Sequence, residues 1–206
     1  MIYLFIPYYN EFEKPFINSL ARQNVSYRLI KRDRKRDKIY WTKAVNDFRK
    51  DLLRYRGVKD TDVICIMNND ISFSDTLLEE GSQVREGGVY IPEGVKITWG
   101  KKKFELVQSG RVDTFAGRCF FMTYQDFNRF KFSKLLPHYL SDYDYGIKVC
   151  KKLKPVIMQN KLSHWGAKPK HPKFSILNPG NPIFWTIFLL KHPNRYTPLN
   201  LLKAWL

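Results

Sequence analysis

The chain has 206 residues, of which 44% are hydrophobic and 16% aromatic, and its formal net charge is +17. This composition excludes an intrinsically disordered protein, and the length predicts one domain with a core of its own. The three cysteines, Cys65, Cys119 and Cys150, are widely spaced and form no CxxC pair. We therefore expect packed, reduced thiols in a cytoplasmic protein, with neither a disulfide framework nor a cysteine zinc site.

We also expect no targeting or membrane-spanning segment. The first residues lack a basic region, and Pro7 comes too early for a secretory signal peptide. No apolar run approaches the roughly 20 residues that a membrane-spanning helix needs. The positive charge is concentrated near residues 31–38, 101–103, 151–154 and 168–173. It predicts an anionic partner, such as nucleic acid, anionic lipid or a phosphorylated substrate.

The first 71 residues alternate between strand-like and helix-like patterns. Apolar runs predict strands, and apolar residues at helical spacing predict helices. The predicted order is strand 2–8, helix 11–23, strand 27–30, helix 38–55 and a strand that begins at Val63 and ends at the tip 68–70. Such an order predicts a parallel sheet built from crossover connections, with all three strand ends at the same edge.

The next hundred residues predict a mixed half packed onto the first. Helices are expected at 74–84, 124–130 and 142–153. Strands are expected at 87–98, with turns at Gly88 and at residues 92–94, and at 104–107, 114–123 and 155–159. We find no internal repeat, low-complexity segment or linker in this part of the chain.

Residues 174–206 form an apolar and basic tail. Residues 183–190 are almost wholly apolar, and residues 199–206 combine leucines and a tryptophan with Lys203. Aromatic, apolar and basic side chains together suit the surface of an anionic membrane. The alternative is that the tail packs on the domain or on a second subunit.

The apolar run that begins at Val63 stops at Asn68-Asn69-Asp70, and two interpretations of this tip are open. All three residue types favour turns, so the tip is a simple turn in one interpretation. In the other, Asp70 lies at the ligand-binding edge of an α/β sheet. A carboxylate there is well positioned to hold a divalent cation against a phosphate, because Mg²⁺ often has one or two protein carboxylates.

Six short motifs occur in an order that resembles a known family. They are IPYYNE at 6–11, YWTKAVN at 40–46, MNND at 67–70, AGR at 116–118, LPHYLSDYD at 136–144 and HWG at 164–166. In this order the chain resembles family 2 glycosyltransferases of the GT-A fold, particularly bacterial rhamnosyltransferase-like and galactofuranosyltransferase-like members. No single motif is specific, and the resemblance extends over about residues 1–170.

The resemblance implies an α/β fold with one GT-A domain, Rossmann-like, in which helices flank a mostly parallel central sheet. The domain would span residues 1–173, with a nucleotide-binding half at about 1–100 and an acceptor half at about 101–173. Residues 174–206 would then be the tail, in contact with a membrane surface or a second subunit.

The resemblance also implies a metal site and a catalytic base. Asp70 would hold Mg²⁺ or Mn²⁺ on the diphosphate of a nucleotide sugar, with His164 as a further ligand. Asp142 would be the general base that takes a proton from the acceptor hydroxyl. Asp144 is its rival, or a supporting residue. Both aspartates begin a predicted helix, where carboxylates are also favoured by capping and by the helix dipole.

A further set of residues is expected around the nucleotide. The set comprises Pro7, Tyr9, Glu11, Asp33, Lys43, Asn46, Asn69 and Arg118. Asn69 contacts the nucleotide or shapes the turn. The fit is poorest at residues 32–37 (RDRKRD), where a run of charges replaces the family's base-binding loop. The recognition of the base is therefore the least certain part of the resemblance.

Three hypotheses about function follow. In the first, the chain is a metal-dependent inverting glycosyltransferase that moves a sugar from a UDP- or dTDP-linked donor to a glycan or lipid-linked acceptor. It would work in the cytoplasm, peripherally on the inner face of the membrane. In the second, a degenerate GT-A domain binds a sugar nucleotide or a partner without turnover. In the third, the chain binds nucleic acid, which net charge alone supports because no recognisable binding module is present.

Overall fold

The computed structural model describes residues 1–55, 57–101, 103–137, 140–164, 181–194 and 196–205. Within these ranges the strands are β1 (Ile2–Tyr8), β2 (Tyr27–Asp33), β3 (Val63–Met67), β4 (Ile71–Phe73), β5 (Gly88–Ile91), β6 (Gly94–Thr98), β7 (Lys103–Val107), β8 (Thr114–Phe115), β9 (Cys119–Thr123), β10 (Lys154–Ile157) and β11 (Leu162–His164). The helices are α1 (Lys14–Ala21), α2 (Trp41–Arg54), α3 (Leu77–Ser82), α4 (Tyr124–Arg129), α5 (Ser141–Cys150), α6 (Pro182–Lys191) and α7 (Thr197–Trp205).

Six of the strands form the central sheet, in the order β10-β5-β9-β3-β1-β2. β1 pairs in parallel with both β2 and β3, and β10 pairs in parallel with β5. β9 runs antiparallel to both of its neighbours. The prediction of an α/β protein with a mostly parallel sheet and flanking helices is therefore confirmed.

The central strands are buried on both faces. In β1, Tyr3 and Phe5 face the side of the sheet that α2 covers, whereas Ile2, Leu4 and Ile6 face the opposite cluster. The two clusters divide β3 in the same alternating way. This double burial explains why both strands read as continuous apolar runs, as is typical of parallel strands covered by helices.

Two smaller sheets stand beside the central one. β6 pairs with β7 and β8 in an antiparallel sheet, and β11 pairs with β4. The short strand β4, which directly follows the tip 68–70, was not predicted. The predicted strand 114–123 is two strands, because residues 116–118 separate β8, in the small sheet, from β9, in the central sheet.

Several predicted boundaries also differ. The first helix begins at Lys14 and not at residue 11, because Pro15 suits a first helical turn and residues 9–13 form a loop. β2 continues to Asp33, into the charged run. Gly88, predicted in a turn, begins β5, whereas the turn predicted at residues 92–94 separates β5 from β6.

The described part of the tail packs on the domain. Phe188 of α6 is fully buried in a cluster with Ile97, Leu136, Leu140 and Ile147. Among the described residues no helix has the length and apolar character that crossing a bilayer requires. The predicted binding of the tail to a membrane surface or a second subunit stays a prediction.

Some of the predicted features lie outside the described residues. They are His138 and Tyr139 of the fifth motif, Trp165 and Gly166 of the sixth, the basic cluster at 168–173 and the boundary at 173/174.

Gly146 allows α5 to lie close against β8. A Cβ atom at this position would overlap Thr114 Oγ1 and approach the backbone nitrogen of Phe115 to 2.9 Å. We expect Gly146→Ala to lower the free energy of unfolding by about 1–3 kcal/mol, the usual cost of overpacking, in urea denaturation. Gly57→Ala is the control, because its Cβ would meet only Tyr55, at an ordinary 3.5 Å. Equal stability of the two variants would contradict the close packing.

Candidate functional site

Several chain segments meet at one edge of the central sheet. Tyr8 at the end of β1 is paired with Asp33 at the end of β2, and Met67 at the end of β3 is paired with Cys119 at the start of β9. The loops that follow β1, β2 and β3, and the loop that precedes β9, therefore adjoin one another. They border a cavity of about 280 Å³ whose polar lining includes Arg34, Trp41, Asn68, Asp70, Arg118 and Asp142.

Asp70 and His164 are brought together by the pairing of β4 with β11. His164 is the register partner of Ile71, the residue after Asp70. The two side chains are in contact, with His164 Nε2 3.0 Å from Asp70 Oδ2. The other carboxylate oxygen, Asp70 Oδ1, is buried and has no hydrogen-bond partner among the described residues.

This pair fits a divalent cation that also takes ligands from a substrate. The carboxylate supplies the oxygen that Mg²⁺ and Mn²⁺ prefer, and its orphaned Oδ1 provides a reason for a ligand there. The imidazole would add a nitrogen ligand. In the described ranges no group of three or more acidic, histidine or cysteine side chains is arranged for a metal. A bound ion would therefore need substrate oxygens or water to complete its coordination.

Asp142 lies in the first turn of α5 and lines the same cavity. Its Oδ2 accepts a hydrogen bond from the Gly117 backbone N–H at 3.1 Å, and its Oδ1 accepts one from the Tyr143 N–H at 3.0 Å. Burial raises the pKa of Asp142, although these hydrogen bonds and the charge of Arg118 oppose the rise. The carboxyl group is therefore a better proton acceptor than an ordinary aspartate.

The backbone around Asp142 is fitted to this side chain. A Cβ at Gly117 would lie 2.7 Å from Asp142 Cβ, so only glycine permits the approach. Leu140, the residue before α5, has a left-handed φ of 62°. This conformation is unfavourable for leucine, by about 1–2 kcal/mol, and Leu140 is buried. Packing therefore holds the start of α5 in a conformation that Leu140 does not favour by itself.

Arg118 and Asn68 form the wall between the two aspartates. The Arg118 Nη1 donates to both carboxylate oxygens of Glu93, each at 3.1 Å. The Asn68 backbone N–H donates to the Arg118 carbonyl at 2.8 Å, and Asn68 Oδ1 accepts from Trp41 Nε1 at 3.0 Å. The Asn68 amide oxygen is thus already engaged by an indole.

Asp144, the rival of Asp142, has a different environment. Two residues apart on a helix are separated by about 200° around its axis, so the two carboxylates face different sides. Asp144 is fully buried and is contacted by Lys148 Nζ at 2.5 Å, Lys191 Nζ at 2.6 Å and His192 Nε2 at 3.0 Å. Burial alone would raise the pKa of Asp144, but the hydrogen bonds from His192, Lys148 and Lys191 outweigh burial and lower it strongly.

A carboxylate with such a low pKa is a poor base. We therefore assign Asp144 a structural role, tying α5 to α6, in place of the catalytic role that was considered for it.

Three of the residues expected around the nucleotide lie at the end of β1 or in the loop after it, Pro7, Tyr9 and Glu11. They contact Arg34 or Asn69. The carbonyl of Pro7 accepts from Arg34 Nε at 3.0 Å, and the exposed ring of Tyr9 lies 5.6 Å from the Arg34 guanidinium carbon. Asn69 Nδ2 donates to the Asn10 and Glu11 carbonyls at 3.0 and 3.3 Å. Asn69 thus joins the tip to the loop after β1, which supports its turn-shaping interpretation.

Three of the expected nucleotide contacts are engaged elsewhere. Asp33 Oδ1 accepts from the backbone N–H groups of Lys35 and Arg36, at 3.0 and 2.9 Å, and so stabilises its own turn. Lys43 Nζ pairs with Asp47 at 2.6 Å on the exposed side of α2. Neither lines the cavity.

Asn46 is the third. Its side chain forms two hydrogen bonds, each of 3.1 Å, with the backbone N–H and carbonyl of Phe132. Local turn, helix and loop contacts thus use the polar groups of Asp33, Lys43 and Asn46, and their contact with a nucleotide stays a prediction.

Two cavity residues were not predicted, Arg34 and Trp41. Trp41 belongs to the second motif and packs edge-on against Phe132, with 4.9 Å between ring centroids. Arg34 belongs to the basic run 31–38, in which nothing distinguishes one arginine from another. Its position in the chain could have indicated its place, since Arg34 directly follows β2 at the same sheet edge where Asp70 follows β3.

Comparison with known proteins shows the fold of this chain. No family model matches it, and no curated protein does. Among the solved structures that are similar is A197 from STIV, with a TM-score of 0.52 and 12% sequence identity. The match covers 81% of this chain and 86% of that one. At this identity the likeness shows a shared α/β architecture.

The cluster around Asp144 predicts a pH-dependent stability. Its folded pKa is depressed, so its contribution is full above the unfolded pKa of about 3.9 and is lost as pH falls through the folded value. We expect Asp144→Asn to lower the free energy of unfolding by about 3–5 kcal/mol at pH 7, because three cationic or polar partners lose their carboxylate. This difference from the wild type should shrink below pH 4 in urea denaturation.

The matched control is Asp75→Asn, which removes an exposed carboxylate paired only with Arg22. It should change stability by no more than about 1 kcal/mol at either pH. A loss for Asp144→Asn that stayed constant from pH 7 to pH 3 would refute the depressed pKa.

Proposed function

We propose that this chain is a metal-dependent inverting glycosyltransferase, which moves a sugar from a nucleotide diphosphate donor to a hydroxyl group. The observation that carries the proposal is the meeting of Asp70, His164 and Asp142 at one sheet edge. They come from three distant parts of the chain, and Asp70 and Asp142 line a single cavity. The ends of parallel strands are where α/β proteins bind such ligands.

Asp70 and His164 would hold Mg²⁺ or Mn²⁺ in this proposal. When bound, the cation neutralises the negative charge that develops on the departing diphosphate. Asp70 Oδ1, buried and without a partner among the described residues, is the atom best suited to this contact. The amide oxygen of Asn68 accepts a hydrogen bond from Trp41. Asp70 is the only carboxylate in the tip at residues 68–70.

Asp142 would act as the general base. The acceptor oxygen attacks the anomeric carbon on the face opposite the diphosphate, so the configuration inverts, and Asp142 takes the hydroxyl proton. Burial raises the pKa of Asp142 and thereby strengthens it as a base. The hydrogen bonds from Gly117 and Tyr143 would fix the orientation of the carboxylate toward the acceptor.

The donor is proposed to be a UDP or dTDP sugar, and the acceptor a glycan or a lipid-linked glycan. The net charge of +17 favours anionic substrates and an anionic membrane surface. Exposed Leu199, Leu202 and Trp205, which recur along α7 at every third position, favour peripheral attachment to the inner face of the cytoplasmic membrane. The second candidate is a domain that binds donor without turnover, which the internal use of Asp33 by its own turn favours.

The proposal is tested by donor binding and turnover. With UDP or dTDP at about 100 times its dissociation constant and Mn²⁺ present, the added stability is about 2.7 kcal/mol. For a chain of this size the melting temperature should rise by about 5–10 °C. Asp70→Ala should abolish the metal-dependent part of this rise, whereas the exposed Asp75→Ala should keep it.

Release of UDP or dTDP from a panel of sugar nucleotides then measures turnover. Binding without release would favour the second candidate, and the absence of any nucleotide effect would refute both.

Asp142→Asn should lower turnover by about 10²–10⁴-fold and leave donor binding unchanged, because only the proton acceptor is lost. Since the pKa of Asp142 is raised, wild-type turnover should fall as pH decreases through a value above the usual 3.9 of aspartate. The measurement is the pH profile of kcat/KM. Full turnover by Asp142→Asn would exclude Asp142 as the base.

A further inference from the structure

Arg34 is held in the wall of the cavity by backbone contacts. Its own N–H donates to the Tyr8 carbonyl at 2.9 Å, and its carbonyl accepts from Ile39 at 3.1 Å. The Nε–H donates to the Pro7 carbonyl at 3.0 Å. The side chain is therefore anchored to the end of β1, and Arg34 lines the cavity.

The charge of Arg34 is not compensated as the charges of nearby arginines are. Arg118, also in the cavity wall, is paired with Glu93, and Arg32 is paired with Asp37 at 2.5 Å. No carboxylate of the described residues lies within ion-pair distance of Arg34. The carboxylate of Asp70 lines the same cavity as Arg34.

Arg34 is half-buried, and even partial desolvation of a guanidinium without a paired anion is unfavourable. Burial lowers the pKa of Arg34, as this cost requires. A planar guanidinium with an anchored Nε–H and two terminal amino groups suits the oxygens of a phosphate, which it contacts with two parallel hydrogen bonds. The cavity therefore offers a phosphate site on the side where the loop after β2 closes it.

We propose that Arg34 binds the diphosphate of the donor directly and shares its charge neutralisation with the metal site at Asp70. The inference rests on the proposed function and deepens it. The tip at residues 68–70 supplies a single carboxylate, that of Asp70, to the metal site. A fixed cation in the opposite loop would supply part of the binding energy that a more strongly held ion would otherwise provide.

The role of Arg34 in the transfer is electrostatic. The bond between the anomeric carbon and the diphosphate oxygen breaks, and its electron pair stays on the diphosphate, whose added charge Arg34 stabilises. The new bond forms between the anomeric carbon and the acceptor oxygen, whose proton goes to Asp142. Arg34 exchanges no proton in this step, because a guanidinium stays protonated.

The test is calorimetric titration of UDP, UMP and uridine, and of the dTDP series, in EDTA and then in Mn²⁺. We expect the wild type to keep measurable diphosphate binding in EDTA. Arg34→Gln should weaken diphosphate binding about 10–100-fold in EDTA and leave nucleoside binding unchanged. Arg34→Lys, which keeps the charge but not the paired donors, should be intermediate. Arg36→Gln is the matched control, because Arg36 belongs to the same run but is exposed.

The results separate this inference from the proposed function. An unchanged diphosphate affinity in Arg34→Gln, or an equal loss for nucleoside and diphosphate, would overturn the role of Arg34 while donor turnover by the wild type still stood. Selective loss of diphosphate affinity in a protein that releases no nucleotide from any donor would support Arg34 and overturn the transfer reaction. Failure of the wild type to bind any of the nucleotides would overturn both.

Discussion

The parallel pairing of β1 with β2 and β3 is the constraint on which the site depends. Because these strands run in one direction and in a fixed register, Tyr8, Asp33 and Met67 end at the same edge. The residues that follow them are therefore neighbours, although tens of residues separate them in the chain. A slip by one residue in any pair would turn its apolar side chains to the opposite face, and the two buried clusters prevent this. The hydrophobic core thus determines where the polar edge lies.

The second half of the chain adds its contribution through α5. Its first turn carries both aspartates: Asp142 lines the cavity, and Asp144, on another side of the helix, is buried against Lys191 and His192. The two aspartates share a helix but have opposite pKa shifts, one raised by burial and one lowered by its cationic partners. One short helix therefore carries both a carboxylate that lines the cavity and a carboxylate buried among cationic partners, and the second ties the helix to α6.

Much of this arrangement can be predicted from the sequence. The apolar run at Val63, the alternation of strands and helices and the polar tip at Asp70 follow from periodicity and turn chemistry. What could not be predicted depends on tertiary contacts. The break at residues 116–118 exists because Gly117 must meet Asp142, a contact across 25 positions. Likewise the Asn46 side chain donates to the Phe132 carbonyl, and the position of Arg34 depends on hydrogen bonds to β1. No local sequence pattern predicts either contact.

The contact of Lys191 and His192 with Asp144 has a consequence for the order in which the protein folds during synthesis. A chain that grows from its N-terminus completes α5 well before these two partners are made, because His192 follows Asp144 by 48 positions. During that interval the Asp144 carboxylate lacks the hydrogen bonds from Lys191 and His192. Burying its charge is then unfavourable, and the final position of α5 is less stable. The strands β1, β2 and β3 precede α5 in the chain, whereas the packing that holds Asp142 near Asp70 is complete only when α6 has been made.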